Sequence, residues 1–332
     1  MRQVPAFSDP DSRTSISPET DPARWGHSLA NAIEIVLPIL DAAEPKQVAE
    51  VGAYAGDLTS RLIEWSQKNG VGITAIDPMP APLLEELDEK EERLNLIRKP
   101  SHEALAEMEI PDAMVIDGDH NYYTVAGECR IVGERVKAED RPLPLMIFHD
   151  VGWPHARRDT HYDPDAIPAE HRQELVEGGA LFPGEPSVID AGLPYRWPAL
   201  MEGGPKNGVL TAIEDFVEST DNVKFALISV FFGVGIVWDS RAPYAEKLEA
   251  MTAPFDRNPV LERMEANRIY HLSMHYVKLV EVEEQRARAD RLQAFLEELS
   301  KSRAFATADR VVSRGDSERS WRRQIRSLID GE

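Results

Sequence analysis

A chain of 332 residues with a formal net charge of -21 can bury a large core, and divides most naturally into one catalytic domain of roughly 200–250 residues and an appendage. So acidic a protein argues against nucleic acid or an anionic membrane as its partner, because both need local positive charge. The single Cys129 leaves no intrachain disulfide framework or cysteine-rich metal site, and no apolar run approaches the ~20 residues that span a bilayer. Residues 1–27 read as an N-terminal arm. The stretch to Arg24 is rich in Pro, Ser, Asp and Thr and lacks the apolar core of a signal peptide. A soluble cytoplasmic protein is expected.

Residues 28–40 read as a helix broken or kinked near Pro38. Val48, Ala49 and Val51 then form a short buried strand that runs into a turn with glycines at 52 and 56. The spacing of Leu58, Leu62, Ile63 and Trp65 continues as a helix with one apolar face. Strand, glycine turn and helix make the first unit of a doubly wound α/β domain, whose ligand sits at the carboxyl end of the strand. The glycines let the backbone approach a ligand where a Cβ would collide. The turn has no Gly-Lys-Ser/Thr ending, and Glu50 would repel a pyrophosphate. An acid there suits hydroxyls or an ammonium group.

A second strand over 72–77 ends in Asp77, placed to accept hydrogen bonds from a ribose diol. That logic serves NAD as well as S-adenosylmethionine. A third strand covers 94–97. Ser101 after it either caps a helix or, with His102, touches an adenosine. The strand from Ala113 ends abruptly in Asp117-Gly118-Asp119-His120, and an apolar strand over 143–148, interrupted by Pro144, ends in His149-Asp150. In a parallel sheet these ends lie together, so Asp117, His149 and Asp150 come within coordination distance. Burying two carboxylates side by side is costly unless a cation or hydrogen bonds compensate. Oxygen ligation suits Mg²⁺, and the imidazole favours Mn²⁺, Fe²⁺, Co²⁺ or Zn²⁺.

Glu50, Gly52 and Gly56 resemble motif I of the class I S-adenosylmethionine-dependent methyltransferases. Ile116-Asp117-Gly118-Asp119-His120 followed by His149-Asp150 is similar to the metal-dependent O-methyltransferases of natural-product biosynthesis, including the macrolide-sugar and TylF-like group. The resemblance implies a seven-stranded Rossmann-like sheet with an antiparallel last strand over residues 28–240. It implies a cofactor site of Glu50, Gly52, Ala53, Tyr54, Gly56, Asp77, Ser101, His102 and Asp117. It makes Asp117 and Asp150 ligands of a divalent cation and His120 the general base. His149 stands where those enzymes usually carry an acid, which leaves the metal open.

Residues 151–208 are dense in polar and aromatic groups without periodicity, and read as an active-site lid. Trp153, His155, Arg157, Arg158 and Tyr162 are its candidate acceptor-binding residues. Arg157 and Arg158 either meet acidic substrate groups or pair with Asp159 or Asp163. A helix from Val209 and strands over 225–230 and 233–238 complete the domain. Residues 241–332 read as a helical extension with one long amphipathic helix over 269–299, which either packs back on its own domain or pairs with a second copy in a homodimer, the commonest assembly. A terminal helix would carry Trp321, Ile325 and Leu328. The expected function is an S-adenosylmethionine-dependent O-methyltransferase, assisted by a divalent metal and acting on a hydroxyl of a small secondary metabolite or sugar. Alternatives are an N- or carboxyl-methyltransferase that needs no metal, a nicotinamide-dependent oxidoreductase, and a noncatalytic dimeric partner protein.

Overall fold

The computed structural model describes residues 27–313 and 320–330; the expected N-terminal arm lies outside them, His27 excepted. The chain enters through a 3-10 turn (Leu29–Ala32) into α1 (Ile33–Ala43). Pro38 lies within α1 and does not end it, because the buried stripe of Val36, Ile39 and Leu40 holds the helix on the sheet.

β1 (Gln47–Val51), β2 (Gly72–Ile76), β3 (Leu94–Ile97), β4 (Ala113–Ile116) and β5 (Leu145–Phe148) are parallel, with α2 (Asp57–Asn69), α3 (Pro82–Lys90), α4 (Ser101–Glu107) and α5 (Tyr122–Ala138) between them. A two-stranded ribbon of β6 (Ala180–Leu181) and β7 (Leu193–Pro194) lies in the insertion, and α6 (Val209–Ser219) follows. β8 (Val223–Ile228) and β9 (Val234–Asp239) finish the main sheet, whose seven strands run β3-β2-β1-β4-β5-β9-β8. β9 is antiparallel to both its neighbours. The fold is the doubly wound α/β sheet with an antiparallel last strand that the sequence led us to expect. Leu145 starts β5, so Pro144 sits outside the strand it appeared to interrupt.

Two apolar layers sandwich the sheet. Val48, Ile73, Val115 and Ile147 pack under α1 and α2, with Val36, Ile39 and Leu62. Ala49, Ile76, Met114 and Phe148 pack under α4, α5 and α6, with Leu105, Cys129, Val132 and Ile213. Register fixes the rest: Val51 lies opposite both Ile76 and Ile116, and Ile116 lies opposite Phe148. Gly52, Asp77, Asp117 and His149 are therefore adjacent along one sheet edge.

α7 (Ala245–Thr252) and α8 (Pro259–Lys301) follow, then α9 (Arg303–Ser313) and α10 (Trp321–Asp330). The long helix begins at Pro259 and not at 269, because the Asn258 side chain caps the amides of Val260 and Leu261. Its first turns belong to the catalytic body: Ile269 and Leu272 pack on Phe232, and Glu265 accepts the Phe232 amide at 2.7 Å. Farther along, residues 278–295 are all exposed, including Leu279, Val280, Val282, Leu292 and Phe295.

Candidate active site at the carboxyl edge of the sheet

The turn after β1 is shaped by its own neighbours. Gly52 has φ +84, and a Cβ there would lie 2.3 Å from the Asp117 carbonyl oxygen and from Gly118 Cα. The first glycine thus makes room for the β4 strand end in this structure. Gly56 (φ +79) sits at the start of α2, and its amide bonds to the Ala53 carbonyl. Ala53 is buried, whereas Tyr54 is exposed. Asp77 is nearly buried. Its Oδ2 accepts the Tyr54 amide at 2.8 Å and its Oδ1 the Met79 amide at 2.7 Å, so one carboxylate ties the glycine turn to the end of β2.

Glu50 points inward, where its Oε2 accepts the Thr59 hydroxyl at 2.7 Å. Burial pushes its pKa up to about 8, with the Thr59 bond pulling the other way. Ser101 is the first residue of α4, Pro100 holding the cap position, and His102 Nε2 is 2.8 Å from the Thr124 carbonyl. That ring sits against Gly127, between α4 and α5.

Asp117 Oδ1 is 2.9 Å from His149 Nδ1, and Asp150 Oδ2 is 3.2 Å from the same nitrogen. His149 Nε2–H donates to the Phe231 carbonyl at 2.7 Å. That bond orients the ring and aims Nδ1 between the carboxylates, as an outer hydrogen bond does for a metal-ligating histidine. His120 Nε2 stands 2.9 Å from Asp150 Oδ2 and 4.0 Å from Asp117 Oδ1. Burial opposes the charge on both rings, but Tyr162 with Asp150 and Asp117 around His120, and Asp117 with Asp150 around His149, outweigh it and hold both well above the usual imidazole range. Asp150, also buried, is held well below the carboxylate range by His149 and His120. Asp119 turns away: its Oδ2 accepts from Asn121 and Thr124, where Asn121 caps α5.

The insertion is anchored rather than structureless. Asp159 Oδ1 accepts the amides of Tyr122 and Gly208, and the Thr160 amide bonds to the His120 carbonyl. Arg158 is 1% exposed and donates to the carbonyls of Ala199, Leu200 and Pro186. Arg157 pairs with Glu214 at 2.6 Å. Neither arginine pairs with Asp159 or Asp163, because the insertion folds back on itself and on α6. Trp153 packs against Leu193, Phe232, Ile269 and Leu272.

His155 reaches the cluster, its Nε2 3.9 Å from Asp150 Oδ1, and burial pushes its pKa down to about 3. Tyr162 is exposed and its ring lies 5.5 Å from that of His120. His120, Asp150, His155 and Tyr162 line a cavity of about 210 Å³ together with His27, Thr160, His161, Tyr195 and Trp197. Sequence reasoning passed over these last five. The signal for the four in the insertion was its aromatic and histidine density, which says nothing about which side chains turn inward; His27, in the N-terminal arm, carried no such signal. The N-terminal segment also closes on the site, since the Leu29 amide donates to Asp117 Oδ2 at 3.1 Å.

Two buried acids give the fold a pH signature. Glu128 on α5 has its pKa raised by burial to about 8, with the Ser101 hydroxyl opposing. Like Glu50, it is protonated when folded and ionised when unfolded between about 4.5 and 8. The native state then binds the extra protons, so stability falls as pH rises through that window and levels off above it. The fall is on the order of 5 kcal/mol per group. Glu128→Gln should flatten the dependence in urea melts from pH 5 to 9; an unchanged slope would show that Glu128 is already ionised in the native state.

No family model matches the chain, and no curated protein matches it. Among solved structures it superposes on an SAH-bound methyltransferase from Podospora anserina (15% identity, TM-score 0.38, covering 62% of this chain and 76% of that one). It also superposes on a putative caffeoyl-CoA O-methyltransferase from Staphylococcus aureus (11%, 0.38, 63% and 83%). A third is a putative O-methyltransferase from Klebsiella pneumoniae (13%, 0.37, 68% and 92%). At these scores, function has to be argued from the site itself.

Proposed function

We propose that this protein is an S-adenosylmethionine-dependent O-methyltransferase that uses a divalent cation and acts on a hydroxyl of a small molecule, a secondary metabolite or sugar. The observation that carries the reading is the position of Asp117. Its backbone lies against Gly52 of the turn that would hold the methyl donor, while its carboxylate joins His149, Asp150 and His120. Donor site and proton-handling site thus share one residue at one sheet edge, as an in-line displacement requires.

The residues fit both groups. For the nucleoside, Asp77 is already oriented by two amides, keeps lone pairs for a diol, and stands beside the exposed Tyr54 and Met79. For a cation, Asp117, His149 and Asp150 offer two carboxylate oxygens and one nitrogen within 4.8 Å of one another, a mixed set suited to a first-row transition ion. When bound, these groups supply an electrophilic methyl and positive charge beside the acceptor oxygen.

The chain's own residues do the rest. The cavity wall of Tyr162, Tyr195 and Trp197 holds the acceptor and displaces water. His120 Nε2, once it has given up the proton that Tyr162 and Asp150 hold on it, takes the hydroxyl proton as the new O–C bond forms. The donor, held at the Gly52 turn and Asp77, would supply the methyl group and keep the S–C electron pair on its sulfur. Titration calorimetry with S-adenosylhomocysteine against NAD tests the class: binding of NAD alone would overturn it in favour of an oxidoreductase. Asp77→Ala should weaken S-adenosylhomocysteine by ~1.5–3 kcal/mol, through loss of a charged acceptor to two hydroxyls. An unchanged affinity would remove Asp77 from the cofactor site.

The same reading includes a homodimer built on α8. At ~1.5 Å per residue, the exposed run over 278–295 projects its apolar side chains well beyond the catalytic body. A lone helix of this kind is marginal in water, and a second copy would cover it. Ending the chain at Lys278 keeps the contact of Ile269 and Leu272 with Phe232. The shortened protein should sediment as a monomer; one that still sediments as a dimer would move the interface elsewhere.

A further inference from the structure

We infer a second cation site, formed by His120, Asp150 and His155, whose occupation inhibits the enzyme. The inference rests on the reading of His120 as the base.

The three ligand groups lie within 4.8 Å of one another, as do those of the Asp117, His149 and Asp150 set, and Asp150 belongs to both. Its Oδ2 serves both sets, and its Oδ1 serves the second alone. Oδ2 faces His149 Nδ1 at 3.2 Å and His120 Nε2 at 2.9 Å, and Oδ1 faces His155 Nε2 at 3.9 Å. A carboxylate in this position can bridge two ions, as in two-metal sites with ions ~3.5–4 Å apart. The His120 and His155 rings lie 4.3 Å apart, centroid to centroid, so one ion between their Nε2 atoms needs only small side-chain rotations.

The surroundings of His155 match those of a ligand. Thr160 Oγ1 is 3.0 Å from Nδ1 and can accept that nitrogen's proton, which leaves the lone pair on Nε2 facing Asp150. All three residues line the cavity, so solvent can complete the coordination. Two imidazoles and one carboxylate favour Zn²⁺, Co²⁺, Ni²⁺ or Fe²⁺ over Mg²⁺. The Tyr195 hydroxyl, 3.2 Å from His155 Nε2, competes for the same lone pair. His120 Nε2 cannot both hold an ion and receive a proton. A transition ion should therefore support turnover when it fills the first site and suppress turnover when it fills the second.

The test is titration of the metal-free, full-length protein with Co²⁺ alone, following bound metal and visible absorption. Two equivalents are expected for the wild type and one for His155→Gln. Tyr195→Phe should bind two, the second more tightly than in the wild type. An equivalent count that is the same in the wild type and in His155→Gln, whether one or two, overturns the site; one in the wild type and none in His155→Gln would keep it and empty the first. Circular dichroism checks the fold of each variant. Should His155→Gln not fold, an unchanged second affinity in Tyr195→Phe overturns the site instead. The counts use neither methyl donor nor acceptor, so failure of the methyltransferase reading would leave them standing. Conversely, turnover that stays constant as Zn²⁺ rises past the first equivalent overturns the inhibition alone.

Discussion

His120→Ala is expected to cut turnover by ~10²–10⁴-fold, the usual worth of a positioned general base, while S-adenosylhomocysteine binding stays near wild type. The separation follows from placement. His120 bonds to Asp150 and lines the acceptor cavity, whereas Asp77 and the Gly52 turn lie at the other end of the same edge. The residual activity should rise with pH as the acceptor hydroxyl ionises unaided. Asp150→Asn should also cut turnover strongly, and in that variant bound metal should fall as well. His149→Asp should shift metal preference toward Mg²⁺ by exchanging the one nitrogen ligand for oxygen. Metal analysis beside single-turnover rates of the four proteins decides the roles. Full activity in exhaustively chelated wild type would remove the cation, and a His120→Ala enzyme with undiminished turnover would remove the base.

Gly52→Val is expected to destabilise the fold by more than ~4 kcal/mol, the range reserved for severe core and backbone clashes. Its Cβ would sit 2.3 Å from backbone atoms of Asp117 and Gly118, which cannot rotate away as a side chain can. The added φ strain of about 1–2 kcal/mol is the smaller part. Gly70 provides the control, because it has φ +73 with nothing within 4 Å of its Cβ position. Gly70→Ala should carry the φ strain alone. Urea melts of the two variants that gave equal losses would show that the clash is relieved by a shift of the β4 loop.

The pattern of residues alone determined the sheet. Short apolar runs ending in Gly52, Asp77, Asp117 and His149 specify strands whose polar ends cannot be buried within the sheet, and parallel register then aligns those ends. The gathering of Asp117, His149 and Asp150 was legible for that reason, since each is set by its distance from a strand. The dimensions of the site were not, because they depend on segments with no periodicity. His155, Tyr195 and Trp197 come from the insertion, and their direction is fixed by distant anchors: Asp159 on the amides of Tyr122 and Gly208, and Arg158 on three carbonyls. The orientation of His149 depends on the Phe231 carbonyl, and that turn is held by Glu265 of α8 through the Phe232 amide. A one-dimensional pattern encodes which face of a strand or helix is buried. It does not encode which carbonyl, some eighty residues away, meets a ring nitrogen; packing of the last strand turn against the long helix decided that.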